Sequence, residues 1–217
     1  NAINHLAVAN FAQIAKDNNI KLIHISTDYV FDGTNHKPYV ETDTPNPKSV
    51  YGQTKLNGEL AMQQINPANS IIIRTSWVYS KFGNNFVKTM LRLGREKETL
   101  DVISDQSGTP TYAKDLAKTC LKILCGDSSE NISKNGMLYH YSNEGVTSWY
   151  DFAKEIMKLG EVHCKVYSIE TKDYPTLVKR PQYSVLDKSK IKTDFKLEIP
   201  YWKDSLKDCM IKINSNS

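Results

Sequence analysis

The chain has 217 residues, 40% hydrophobic and 24% charged, and its 28 Lys and Arg against 24 Asp and Glu leave a net charge of +4. This is ordinary globular composition, with enough length for a sizeable core, and it excludes a disordered chain apart from the Ser-Asn-Ser tail at 215–217. The lysines are scattered among acids rather than gathered in a basic run, which excludes a nucleic-acid partner, and no apolar run approaches the roughly 18 residues of a membrane span.

The chain begins at Asn1 rather than Met and opens directly on an amphipathic helix predicted over Ala2 to Asp17, as expected of a piece cut from a longer protein. Leu22-Ile23-His24-Ile25 is β-branched and apolar and reads as a buried parallel strand. A polar stretch from Thr27 to Ser49, with Gly33, Pro38, Pro45 and Pro47, is too long for a simple connection and marks a functional loop. A helix is predicted from Ser49 to Gln64, broken by Asn66-Pro67, and then a strand over Ser70 to Arg74. A helix over Asn84 to Arg95 and a short strand over Leu100 to Ile103 follow. This alternation predicts a parallel sheet with helices packed on it. After Ser104 the pattern is less regular: a helix over Ala113 to Leu124, a strand over Met137 to Tyr141, a helix capped by Ser148 and running to Leu159, a strand over Lys165 to Ile169, and helices over Asp187 to Ile191 and Trp202 to Ile213. The expected architecture is α/β, the C-terminal portion of a Rossmann-like doubly wound parallel sheet with a smaller mixed α/β substrate-binding lobe. Residues 1–103 are expected to hold the dinucleotide-binding portion and the catalytic residues, and residues 104–217 mainly the substrate-binding lobe.

Cys120, Cys125, Cys164 and Cys209 form no C-x-x-C pair and no zinc pattern, and the expected compartment is reducing. With no signal peptide, a cytoplasmic protein is expected. His5, His24, His36, His140 and His163 are dispersed, and no metal site is expected.

The chemistry centres on Tyr51-Gly52-Gln53-Thr54-Lys55. Residues four apart share a helix face, so phenol and ammonium lie side by side. A free Tyr has a pKa near ~10 and is a poor acid at neutral pH, and a neighbouring cation lowers it. With 12 Tyr in the chain, the spacing alone is weak. Context strengthens it: Ser26-Thr27 and Arg74-Thr75-Ser76-Trp77 both fall at the carboxyl ends of predicted parallel strands, where open α/β sheets bind ligands. Trp77 reads equally well as core filling or as a ring that packs on a sugar or cofactor.

The ordered set Ser26-Thr27-Asp28-Tyr29-Val30-Phe31-Asp32-Gly33, Pro38-Tyr39-Val40-Glu41, Tyr51-Gly52-Gln53-Thr54-Lys55, Arg74-Thr75-Ser76-Trp77-Val78-Tyr79, Gly83-Asn84-Asn85-Phe86-Val87, Gly108-Thr109-Pro110-Thr111-Tyr112-Ala113 and Arg180-Pro181 resembles the extended short-chain dehydrogenase/reductase superfamily. Within it, the pattern is similar to the dTDP-4-dehydrorhamnose reductases, over nearly the whole chain. The resemblance implies hydride transfer from NADPH or NADH to C4 of dTDP-4-dehydro-β-L-rhamnose. It implies that Tyr51 donates a proton, that Lys55 lowers the Tyr51 pKa and holds the nicotinamide ribose, that Thr27 hydrogen-bonds the carbonyl, and that Ser26 adjoins the cofactor. Asp28 and Trp77 would contact the sugar, and Asn85 and Arg180 the diphosphate. A homodimer is the expected assembly.

One departure is large. Ten glycines are present and no two are separated by a single residue, so the glycine-rich pyrophosphate cradle of the family is not in this sequence. It is expected upstream. Two other readings belong beside the reductase: another extended short-chain enzyme acting on nucleotide sugars, an epimerase or dehydratase, and a non-catalytic partner like the regulatory subunit of methionine adenosyltransferase. Thr27 followed by Asp28-Tyr29, rather than by an Asp-Glu pair, favours the reductase.

Overall fold

A computed structural model describes residues 1–126, 137–174 and 180–215; residues 216 and 217 of the expected C-terminal tail lie outside that range. The chain opens on a π-helical turn, Ala2–Leu6, before α1, Ala7–Asp17. Strand β1, Leu22–Thr27, leads into a 3-10 turn, Asp28–Val30, and α2 spans Val50–Ile65. Then come β2, Ser70–Thr75, β3, Val78–Tyr79, α3, Phe86–Glu96, and β4, Thr99–Ile103. Two short strands, β5, Ser107–Gly108, and β6, Thr111–Tyr112, precede α4, Ala113–Cys125. The remainder is β7, Leu138–His140, β8, Thr147–Ser148, α5, Trp149–Leu159, β9, Lys165–Ile169, a 3-10 turn, Thr171–Asp173, α6, Ser189–Phe195, and α7, Trp202–Asn214.

The predicted alternation of helix and strand is present, with local differences that have local causes. Helix α3 begins two residues late because Asn85 caps it, accepting from the Lys88 N–H. Helix α6 starts at Ser189 rather than Asp187 because the Asp187 carboxylate accepts from the Ser189 N–H and hydroxyl, closing a turn first. Ser148 caps α5 as expected, accepting from the Asp151 N–H.

Strands β1, β2 and β7 form a parallel sheet in the order β1-β2-β7, with Thr27 level with Thr75 and Arg74 level with His140. Strand β2 lies in the middle and every one of its residues is buried, which is why Ile71-Ile72-Ile73 is an unbroken apolar run. Successive side chains alternate faces. Ile72 joins Val8, Ala12, Met62 and Met137 under α1 and α2. Ile71 and Ile73 join Leu116, Ile123, Ile191 and Phe195 under α4 and α6. The sheet is therefore wound on both faces.

A second parallel pair, β4 with β9, is covered by α3, α5 and α7 through Leu91, Val102, Phe152, Ile156, Trp202 and Leu206. Two further short pairs are β3 with β6, parallel, and β5 with β8, antiparallel. Strands from both expected segments, 1–103 and 104–217, meet in the three-stranded sheet and again in the β4–β9 pair. Among the described residues, no helix is long and apolar enough to cross a membrane.

Candidate active site

Strands β1 and β2 end level with one another, so Thr27 and Thr75 open onto the same sheet edge. Beyond Thr27 the backbone turns at once: the Thr27 hydroxyl accepts from the Tyr29 N–H at 3.2 Å and caps the 3-10 turn. Ser49 caps α2 in the same way, accepting from Gly52 at 3.1 Å. Gly52 is required there. A Cβ at this position would stand 2.2 Å from the Tyr29 carbonyl oxygen, so the first turn of α2 lies directly on the 3-10 segment. That approach carries Tyr51 to the strand ends, edge-on to Tyr29 with ring centroids 5.6 Å apart.

The result is a cleft of about 500 Å³ between Ser26, Thr27, Asp28, Tyr29, Tyr51 and Trp77. Asp28 is 3% exposed and accepts from the Thr27 hydroxyl at 3.1 Å. Burial pushes its carboxyl up to about 6, against the pull of the Ser184 and Thr27 hydroxyls.

Tyr51 and Lys55 share a face of α2, as the spacing required, but the expected electrostatic relation does not hold. The Lys55 ammonium donates to the Ile25 carbonyl at 2.6 Å and lies 3.2 Å from His24 Nε2. Tyr51 is governed instead by burial, which raises its pKa, with the Thr27 hydroxyl lowering it and the Asp28 charge raising it. Its phenol is thus held above the ordinary range rather than below it. Burial lowers the Lys55 pKa, opposed by Glu59. Burial, and then the Lys55 charge, lower His24 to about 4.

Ser26 is committed elsewhere. Its hydroxyl donates to Glu59, which also receives Arg74 Nη2 at 2.7 Å.

A second cavity, of about 450 Å³, adjoins the cleft through Tyr29 and Trp77 and is lined by Phe86, Met90, Trp149 and Arg180. Trp77 stands in the left-handed region, φ 48°, and stacks on Trp149 at 3.6 Å and 11°. Gly108 makes this possible, since a Cβ there would come within 2.6 Å of the Trp77 ring. Phe86 leans on Trp149 at 4.6 Å, and the Arg180 guanidinium sits 5.7 Å over the same ring.

The structure thus gathers Thr27, Asp28, Tyr51 and Trp77 around one cleft and joins Arg180 to it through Trp77 and Trp149. Lys55 does not line the cleft; from α2 its ammonium reaches the Ile25 carbonyl of β1. Asn85 stands apart: its amide donates to the Ser80 carbonyl at 2.7 Å while its oxygen caps α3, so both ends are occupied. Trp149 and Glu59 escaped the sequence reading, and Ser184 carried no role in it beyond the Tyr183-Ser184 pair that follows Arg180-Pro181 in the family pattern. Of the first two, only Glu59 left a trace, four residues beyond Lys55 on the same helix face. Among the described residues, no group of three or more His, Cys, Asp or Glu side chains is placed to hold a metal ion.

Comparison with known proteins agrees with this geometry. The family model of the RmlD substrate binding domain matches residues 1–215. The dTDP-4-dehydrorhamnose reductase of Aggregatibacter actinomycetemcomitans is 42% identical over 217 residues, 95% of this chain and 72% of that protein. The Escherichia coli K12 protein of the same name is 42% identical over 212 residues, 94% of this chain and 70% of that protein. Among solved structures, a dTDP-4-dehydrorhamnose reductase from Clostridium acetobutylicum superposes with a TM-score of 0.89 at 40% identity, covering 98% of this chain and 72% of that one. The Bacillus anthracis reductase in complex with NADP gives 0.88 at 36% identity, covering 97% and 72%. With its strand-end hydroxyls, its Tyr51–Lys55 face and this likeness along nearly its whole length, the chain belongs to the family of the RmlD substrate binding domain.

Proposed function

We propose that this chain carries the proton-transfer and sugar-binding machinery of a dTDP-4-dehydrorhamnose reductase that uses NADPH or NADH. The observation that carries the proposal is the meeting of Thr27, Asp28 and the Tyr51 phenol in one cleft at the carboxyl ends of β1 and β2. The reductases that this chain resembles at 40% identity or more, and the NADP complex of the Bacillus anthracis protein, support the same reaction.

The residues fit a nicotinamide nucleotide. An ammonium has three donors, and Lys55 commits one to Ile25 and presents another to His24, leaving a third for ribose hydroxyls. A bound nicotinamide supplies hydride to C4 of the sugar. Tyr51 donates its proton to the C4 oxygen as charge develops there. The phenol is protonated at neutral pH, as a free phenol is, and burial holds its pKa above the ordinary value; the charge that builds on the C4 oxygen draws the proton across. Thr27 donates to Asp28 in the structure, and its hydroxyl turns to the substrate oxygen without backbone movement. There it stabilises the developing alkoxide. Asp28 and Trp77 bracket the sugar. Arg180, poised over Trp149, presents a fork suited to phosphate oxygens. Asn85 has no part in this assignment because its oxygen is spent on the α3 cap and its amide on the Ser80 carbonyl, and Ser26 acts through Glu59 rather than on the cofactor.

The test is oxidation of NADPH and of NADH by the purified full-length protein with dTDP-4-dehydro-β-L-rhamnose. Turnover to dTDP-β-L-rhamnose is expected. No turnover with either cofactor, together with stoichiometric binding to another enzyme, would establish the non-catalytic alternative. A second sugar has a specific observation behind it: a Streptomyces niveus relative, 32% identical over 215 residues, is a dTDP-4-keto-6-deoxy-D-glucose reductase. Assaying that ketosugar alongside decides between them. The reading includes a cytoplasmic homodimer, tested by cell fractionation and by sedimentation.

A further inference from the structure

The structure assigns Glu59 as a positioning residue that sets Tyr51 and Lys55 against the strand ends, an assignment that rests on the reductase reading. Tyr51, Lys55 and Glu59 are spaced by four and form one stripe along α2. Each of the latter two grips the end of β1 at a successive residue: Lys55 holds the Ile25 carbonyl and Glu59 receives the Ser26 hydroxyl. Glu59 also reaches the neighbouring strand. Arg74 Nε donates to its two oxygens at 3.0 and 3.2 Å, and Nη2 donates at 2.7 Å. Ser26 and Arg74 are register partners across β1 and β2. Each immediately precedes a threonine of the cleft, Thr27 or Thr75. One carboxylate therefore fastens the catalytic helix to both strands at the level of the site.

The pair is 3% and 1% exposed. Buried ion pairs of this kind are often no more stabilising than apolar side chains of the same volume, so stability by itself does not account for charges at this position. Placement does, because a misplacement of one ångström at a reacting group costs on the order of a hundredfold in rate. Glu59 also supports the charge on Lys55, against burial. The groups facing Lys55 are His24 from β1 and Glu59 from α2, and Arg74 from β2 meets Glu59 on its other side.

Two substitutions separate charge from reach. Glu59→Gln keeps the shape and removes the charge. The expected result is a fall in kcat of about tenfold or more, a sugar-nucleotide KM within about threefold of the parent, and an alkaline limb of the rate profile displaced to lower pH. Glu59→Asp keeps the charge and shortens the arm, and should lower kcat with the alkaline limb unmoved. If Glu59→Gln does not fold, Glu59→Asp and Ser26→Ala carry the test, each expected to lower kcat at unchanged KM. Folded variants with the parent's kcat and pH profile overturn the assignment. If the parent itself turns over neither sugar with either cofactor, the reductase reading fails instead. The Lys55 amine signal, followed by NMR and identified by its loss in Lys55→Met, then judges Glu59: a lower titration point in Glu59→Gln but not in Glu59→Asp upholds the contact, and no change in either refutes it.

Discussion

The two cavities that meet at Tyr29 and Trp77 are built from different materials. The strand-end cleft is walled by hydroxyls, a buried carboxyl and a phenol, placed by the paired ends of β1 and β2 and by the close approach of α2 at Gly52. The adjoining cavity is walled by helix-borne rings, Phe86 and Trp149, with Arg180 above them. The first places protons where the register of a sheet fixes them. The second offers apolar area and one fixed charge, which suits recognition of a large ligand. On the proposed reading the contrast is a division of labour, with chemistry at the sheet edge and binding in a cavity that α3 of the first segment and α5 of the second wall together.

The sharpest way to break that comparison is at Tyr51. Tyr51→Phe should lower kcat by about 10²–10⁴-fold while leaving cofactor affinity close to the parent's, as measured by steady-state kinetics and cofactor titration. A variant with near-normal turnover would end the proton-donor role. Asp28 supplies the next largest effect, on stability. Its folded pKa of about 6 stands above the ordinary 3.8, so between these values the folded state keeps a proton that the unfolded chain has lost. Stability from this group is present below about pH 4 and is lost as pH rises through about 6, by on the order of 2 kcal/mol. His24 runs the other way, its folded pKa of about 4 lying below 6.5, and contributes stability as pH rises. Asp28→Asn removes only the first effect. Its stability relative to the parent, from urea titrations at pH 4 and pH 7, should rise by that amount at the higher pH, and equal values at both would refute it.

Trp149→Ala probes the second cavity. The expected outcome is a sugar-nucleotide KM about tenfold higher with kcat within about threefold of the parent, because a binding contact is lost rather than a reacting group. An equal fall in kcat would erase the distinction between the cavities. The smallest effect is expected at Asn85. Asn85→Ala should cost about 1 kcal/mol of stability, the usual worth of an N-cap, with KM unchanged. A raised KM would return Asn85 to the diphosphate.

What was legible in the sequence was whatever is decided within a few residues. The run Ser70 to Arg74 announced a strand, Ser148 announced a helix start, and the spacing of Tyr51 and Lys55 put two functional side chains on one face. The ordered motifs went further and indicated a family and a reaction, which the family match and the fold bear out. Tertiary structure decided the rest, because it brought together residues far apart in the chain. Glu59 meets Ser26 and Arg74 only when α2 packs across β1 and β2. Lys55 spends its charge on the Ile25 carbonyl, so burial rather than the ammonium sets the Tyr51 phenol. Trp149, at the start of α5, stacks on Trp77, which lies beyond the end of β2 and far from it in the chain. Helical and strand periodicity specify which face of an element is apolar or reactive. What that face will meet depends on crossovers and register, which no local pattern encodes.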